Sequence, residues 1–430
     1  MKINNWSMTT LLLLFGMSTH AQEKKQLSLD DVMQLAFYHS AQAQALDSKV
    51  KTSQLEYEAS KGSQLPDAKL TGTYMLMNSP NVNIQLPIGE GDSMDLATNQ
   101  LLLGQLSINM PLYTGGKIKN NIQAAEHTWK ATALQSTATK QQFAIQAMHN
   151  YIALYKAQKT MDLIAENIKK SAQQVNDFKA MEANGIIARN DLLKAEWQLS
   201  NYKVSYQEAL KNVNILSYQL SIILGLDENT TFDHIHLSEL QNQNIGRINL
   251  EDRYEVQSLQ AQKQVADDQI KVAKSAYFPT VFATAGYAAL QLQHVVTVTN
   301  AANVGVGLSY DIGALYKNKK KVHVAQQHIE ELNLSLRQVE DDIKTQIHKS
   351  REEVQLAQEK QKLYQEALIQ AKENYRIVKD KYDNGVADTD DLLEADVQQL
   401  QSEINLAIGD ASIVEKQYDL LLATGQLNLK

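Results

Sequence analysis

Five carboxylates stand close together near the end of the chain, Asp383, Asp388, Asp390, Asp391 and Glu394. Crowded acids repel one another and attract cations. Helix capping accounts for one or two acids at a turn, not five, although Asp388 with Asp391 is expected to cap the following helix. The matching turn earlier in the chain carries Arg189, Asp191 and Lys194 instead, with Asn190 as its expected cap. A basic run, Lys317, Lys319, Lys320 and Lys321, follows Tyr316, and Lys117 with Lys119 occupies the equivalent earlier place. Lysine at a helix N-terminus opposes the helix dipole, so helix stability does not explain it. The two readings are a solvated basic surface and a ring of lysines facing lipid phosphates. His234 and His236 have the spacing of one side of a metal site but no third ligand, so a polar pair is expected, with no metal and no cofactor. No phosphate-binding glycine loop and no Ser/His/Asp arrangement stands out, so the chain is not expected to be an enzyme.

Composition narrows the setting. Lys2, an apolar stretch at 11–15 and small residues ending at Ala21 have the layout of a secretory signal over 1–21. That stretch is far shorter than the ~20 apolar residues of a membrane helix and no later one is longer, so any membrane entry must use strands. The net charge is -8, or -9 once Lys2 leaves with the signal, which argues against nucleic acid as a partner. With Cys 0 there is no disulfide, no thiolate site and no acylated N-terminal cysteine.

The elements that position these clusters repeat. Residues 117–184 and 317–384 contain neither proline nor glycine and are rich in Ala, Gln, Lys, Glu and Leu, so each predicts one helix of roughly 100 Å at ~1.5 Å per residue. Asn184-Gly185 recurs as Asn384-Gly385, and Asp191-Leu192-Leu193 recurs in the same register as Asp391-Leu392-Leu393. Ala195, Gln198, Tyr218 and Leu220 likewise return as Ala395, Gln398, Tyr418 and Leu420. Upstream, Lys61, Pro66 and Tyr74 return as Lys274, Pro279 and Tyr287. The chain is therefore two copies of one unit, near 28–226 and 251–427, each reading helix, strand, loop, strand, long helix, turn, shorter helix.

The strands alternate. In 102–112, Leu102, Leu106, Ile108, Met110 and Leu112 share one parity against Gln105, Ser107 and Asn109. In 303–312, Val304, Val306, Leu308, Tyr310 and Ile312 do the same against Gly305, Gly307, Ser309 and Asp311. Partner strands are expected over 68–77 and 281–289, with the joining segments 78–99 and 291–302 outside the cell. A strand with one greasy and one polar face fits an outer-membrane barrel, and equally the half-buried sheet of a soluble domain. On the membrane reading four strands cannot close, so chains must share a barrel. Eight strands enclose little more than side chains, which leaves twelve strands from three chains as the preference.

Together these features resemble the TolC-like outer-membrane efflux family over essentially the whole mature chain. The carrying residues are the duplication, Pro66 and Pro279 opening the strand pairs, and two turn motifs. These run Phe178, Gly185, Asp191-Leu192-Leu193, Ala195 and Tyr382, Gly385, Asp391-Leu392-Leu393-Glu394-Ala395. The resemblance implies a mainly α fold with membrane β: a homotrimer with a twelve-stranded β-barrel in the outer membrane, continued by a periplasmic α-helical barrel. The implied organisation is a signal peptide over 1–21, repeats over 22–226 and 251–430, and a linker over 227–250 in an equatorial belt. Implied partners are a periplasmic adaptor, an inner-membrane pump and outer-membrane lipid, with the tips at Gly185 and Gly385 docking the adaptor. The resemblance also implies a periplasmic gate, for which Asp391 and Glu394 match the acidic constriction and Tyr382 and Asp191 a polar link between repeats. Ala387 replaces an arginine of some members, so one such link is expected to be missing. The role implied is the exit duct of a tripartite efflux or type I secretion system, with the cargo left open. The competing reading is a soluble periplasmic coiled-coil adaptor or scaffold, against which the paired alternating strands argue.

Overall fold

The computed structural model describes residues 24–78, 81–82, 96–97, 99–232, 246–293 and 296–429. The signal segment, most of 78–99, and His234 and His236 lie outside these residues.

The first unit opens with β1 (Lys24–Lys25), α1 (Leu29–Tyr38) and α2 (Ala41–Lys61). It continues through β2 (Asp67–Leu76), the two-residue strands β3 (Asn81–Val82) and β4 (Leu96–Ala97), β5 (Gln100–Tyr113), α3 (Lys117–Ala183) and α4 (Arg189–Leu224). After β6 (Thr231–Phe232), the second unit runs α5 (Tyr254–Ser275), β7 (Thr280–Leu292), β8 (Val296–Ser309), α6 (Ala314–Asp383) and α7 (Thr389–Ala423). The order read from the sequence is thus observed twice. The helix ahead of the first strand is, however, two helices. Ser40 breaks it, its Oγ accepting from the Ala43 N–H at 3.1 Å.

One antiparallel sheet is ordered β2-β5-β7-β8. Its register aligns whole rows: Ala68, Ile108, Ala285 and Val304 lie side by side, and the next row across the pleat is Lys69, Ser107, Gly286 and Asn303. Period-two alternation therefore gives the sheet one continuous apolar face, and that face is uncovered. Val304 is 87 % exposed and Leu70 80 %. The outer edges, β2 and β8, have no partner strand among the described residues.

Residues 291–302, expected as a loop, are mostly strand, because β7 runs to Leu292 and β8 starts at Val296. A bulge lets the hairpin continue, with the register shifting between Ala288 and Leu290 and Asn300 at φ 58. Asn300 Oδ1 accepts from the Tyr287 hydroxyl at 2.8 Å. The extra residue interrupts the alternation by which a strand is recognised.

The helices form a layer in which α2 packs on α3, α3 on α5 and α5 on α6, while lower down α4 packs on α3 and α7 on both α6 and α3. No helix among the described residues is long and apolar enough to cross a membrane. At mid-length, α1, α3, α4 and α7 share a core of Val32, Met148, Tyr151, Ile152, Leu220 and Leu421. Phe232 and the C-terminal Leu427 and Leu429 complete it. Here β1 pairs in parallel with β6, so the N-terminal segment and the inter-repeat segment meet.

A charged cluster fastens α3 to α7 beside this core. His149 lies between Glu415 (Nδ1 to Oε1, 3.1 Å) and Asp419 (Nε2 to Oδ1, 3.0 Å), and Lys156 reaches Glu415 at 2.6 Å. The bonds to Asp419 and then Glu415 outweigh burial and raise the His149 pKa to about 9. Burial opposes ionisation of Glu415, yet bonds from His149 and Lys156 bring it down to about 2. The folded state holds the His149 proton more tightly than the unfolded state. Its stabilising contribution is therefore complete below about pH 6.5 and disappears as pH rises through about 9. The ring is 36 % exposed, so His149→Gln should cost only on the order of 1 kcal/mol at pH 6. Denaturation midpoints of both proteins at pH 6 and pH 10 measure this; a penalty of the same size at both would mean packing, not charge.

Candidate functional site

The two helical tips are built alike. At the end of α3 the Gly185 N–H bonds to Glu182 O (2.9 Å) and the Ile186 N–H to Met181 O (2.9 Å). At the end of α6, Gly385 bonds to Tyr382 O (2.9 Å) and Val386 to Lys381 O (2.8 Å). This paired closure needs a left-handed residue, and the glycines stand at φ 68 and φ 71. Nothing lies within 4 Å of where a Cβ would be at either position. Conformation alone, not crowding, selects glycine here.

The next helices start differently. Asp388 caps α7 through a reciprocal box: its Oδ1 accepts from the Asp391 N–H (3.0 Å) and Asp391 Oδ2 accepts from the Asp388 N–H (3.4 Å). In contrast, α4 begins after Ala188 with no side-chain cap. Asn190, expected to cap it, lies inside the helix, two residues past the capping position at Ala188.

Of the expected gate residues, Asp391 and Glu394 are brought together. Both are exposed on one face of α7 and line a groove of about 400 Å³ between α6 and α7, with Lys381, Ala387 and Gln398. Glu394 Oε1 accepts from the Gln398 amide at 3.1 Å. Tyr382 and Asp191 are close enough for the Asp191 charge to push the Tyr382 pKa up, after the larger effect of burial. They do not hydrogen-bond; the Tyr382 hydroxyl is buried beside Thr389, which offsets part of the effect of burial. Its ring stacks on Phe178, with centroids 5.7 Å apart. Phe178, Leu192, Ala195 and Leu392 form the small core that joins the tips.

Two links between the repeats were not read from the sequence. Lys194 Nζ meets Asp390 Oδ2 at 2.6 Å, a contact that raises the Lys194 pKa. Asp396 on α7 accepts from the Tyr202 hydroxyl of α4 (2.8 Å) and from Asn167 of α3 (3.4 Å). Burial raises the Asp396 pKa, partly offset by those two bonds. A signal for the second link was present: Asp396 lies four residues from both Leu392 and Leu400, on the stripe that must face inward.

A duplicated chain with a one-sided apolar sheet and long helices ending in matched polar tips defines a subunit of a membrane-anchored conduit. The family model of outer membrane efflux proteins matches residues 32–226 and 247–426, and the chain belongs to that family. It is accordingly an efflux exit duct of the Gram-negative outer membrane and not an enzyme. Its fold is similar to those of solved channels. The outer membrane protein VceC of Vibrio cholerae matches at TM-score 0.77 and 15 % identity, over 92 % of this chain and 96 % of that one. The CmeC outer membrane channel of Campylobacter jejuni matches at TM-score 0.77 and 16 % identity, over 99 % and 94 %. The open-state MtrE channel of Neisseria gonorrhoeae matches at TM-score 0.71 and 15 % identity, over 92 % and 88 %. No curated protein sequence is similar enough to match.

Because the tip glycines are chosen by conformation, Gly185→Ala and Gly385→Ala should each cost roughly 1–2 kcal/mol. Lys194→Met should have a smaller effect than either, since its ion pair is solvent-exposed. Thermal unfolding of the solubilised protein ranks the three; a Lys194 effect larger than either glycine effect would reverse this reading of the tip.

Proposed function

We propose that three copies of this chain close one twelve-stranded barrel and continue it as a helical tunnel across the periplasm, where an adaptor and an inner-membrane pump deliver cargo to it. The observation that carries this is the four-stranded sheet with an exposed apolar face and two open edges. In hydrocarbon those edges require partner strands, and β8 of one copy beside β2 of the next supplies them. Organisation into a signal peptide over 1–21, repeats over 22–226 and 251–430, and a linker over 227–250 belongs to the same proposal. The pairing of β1 with β6 supports placing that linker in the belt. The tips at Gly185 and Gly385 are the surfaces offered to the adaptor. Chemical cross-linking in outer membranes should yield three-chain species, and a ladder ending at the dimer would refute the stoichiometry.

The gate is proposed at α7. Around a threefold axis, Asp391 and Glu394 would set six carboxylates about one aperture, where like charges repel and cations are drawn in. Tyr382 and Asp191 are assigned to the contact holding the second-repeat tip against the first, with Tyr382 acting through its stack on Phe178. Asp391→Ala with Glu394→Ala removes one bond of the capping box and keeps the one made by Asp388 Oδ1. Oligomer yield should therefore stay near wild type while cation preference and block by multivalent cations weaken. Planar-bilayer conductance decides: unchanged selectivity with lowered stability would leave these acids a purely capping role.

A further inference from the structure

The lysines beside the sheet divide between two faces of the helical layer. A groove of about 670 Å³ is lined by Lys49 of α2, Thr128 and Gln135 of α3, Gln269 of α5, and His328 and Ser335 of α6. A cavity that touches all four helices of a layer one helix thick lies on its concave side. Stepping back along α6 from His328 by seven and then four residues reaches Lys321 and Lys317, so both share the concave stripe. Stepping back along α3 from Thr128 by eleven residues reaches Lys117, likewise concave. Lys119 and Lys319 each follow by two residues, about 200° round the helix, and so stand on the convex side.

In the proposed barrel and tunnel, the convex side of the helical layer continues the outward, apolar face of the sheet. Leu315, four residues before Lys319, lies on its face of α6 and is 50 % exposed. Above Lys119 stands exposed Leu112, on the apolar parity of β5. Lys61 and Lys274 end α2 and α5 at the same level, beside exposed Leu65 and Phe278, but their place in a last helical turn suits the dipole. Lys119 and Lys319 have no such reason to be there. Both are exposed near helix N-termini, which disfavours cations, and neither forms an ion pair among the described residues. The duplication puts the same charge at the same place twice.

We propose that Lys119 and Lys319 form an outer basic collar that binds the headgroup phosphates of anionic phospholipids in the leaflet facing the periplasm. The proposal rests on the membrane assembly described above. An apolar band followed within about two helical turns by lysine matches the passage from hydrocarbon to headgroup, where each lysine favours anionic lipid. The lysines of the concave stripe face the tunnel and take no part.

The test uses the full chain purified with lipid, offered phosphatidylglycerol or phosphatidylcholine, with retained lipid read by native mass spectrometry. Wild type should retain phosphatidylglycerol preferentially, and Lys119→Gln with Lys319→Gln should reduce that preference on the order of fivefold for each lysine. Lys117→Gln with Lys317→Gln, which removes the same charge from the concave stripe, should leave it intact. Added salt should erode the preference. Should the double variant assemble poorly, Lys319→Gln alone gives the same reading at half the charge. A wild type without preference, or equal losses in the convex and concave variants, overturns the collar. Failure of the wild type to yield a lipid-bound oligomer would instead count against the assembly on which the collar rests.

Discussion

Backbone N–H and C=O groups in hydrocarbon find no water to bond, and each one left unpaired costs several kcal/mol. The four-stranded sheet satisfies its interior strands, β5 and β7, and leaves β2 and β8 with one open edge apiece. Its apolar rows would be a poor design for a protein in water and a fitting one against lipid. The chain thus carries part of a barrel whose completion must come from elsewhere. That requirement fixes the orientation of the rest, because each of the four strands of this sheet joins a helix of the layer at one end.

The same requirement explains an asymmetry between two copies of one unit. The first long helix, α3, buries residues along its whole length, from Ala124 to Phe178, since α1, α2, α4, α5 and α7 all pack on it. Its repeat mate α6 buries only Ala314, Asn318, Val322, Ile343, Ile347, Ser350, Ala357 and Gln361. Meanwhile Val324, Leu334, Leu356, Leu363 and Ile369 of α6 remain exposed. Duplication made the helices alike in sequence period; position made one central and the other peripheral. In the proposed trimer the peripheral helix becomes an internal one, and apolar side chains that are a liability in the single chain become contacts.

Much of this was legible beforehand because it depends on local rules. Long runs without Pro or Gly gave α3 and α6 nearly to the residue, Asn-Gly marked both tips, and alternation placed the cores of β5 and β8. What stayed hidden depends on contacts distant in sequence or on broken patterns. The continuation of β7 and β8 was masked by the bulge at Asn300. The pairing of β1 with β6 involves two residues on each side, too few to show any period. Asn190 looked like a cap, yet the chain enters α4 two residues earlier, at Ala188, and gives that terminus no side-chain oxygen. The polar contact expected between Tyr382 and Asp191 is a ring stack with Phe178 plus a nearby charge. The matched turn motifs place residues at a tip but do not fix their rotamers.

The tips show how polar groups can set the strength of a closure. Lys194 and Asp390 make the shortest contact between the repeats there, but both are exposed, so water and salt compete for them and little is gained. Asp396 is different: it is largely buried, and removing Tyr202 or Asn167 would leave a desolvated carboxyl short of a partner. It also lies two turns above Asp388, behind Leu392. The stiffness of the tip therefore resides in Asp396, where α7 meets α3 and α4, and in the Phe178 to Tyr382 stack, where α3 meets α6. Below that level, Leu392 of α7 still packs into the core that joins the tips, and the capping box and an exposed ion pair add to it. The proposed gate at Asp391 and Glu394 would therefore have to move against the buried Leu392 contact, and not only against polar contacts that water can replace.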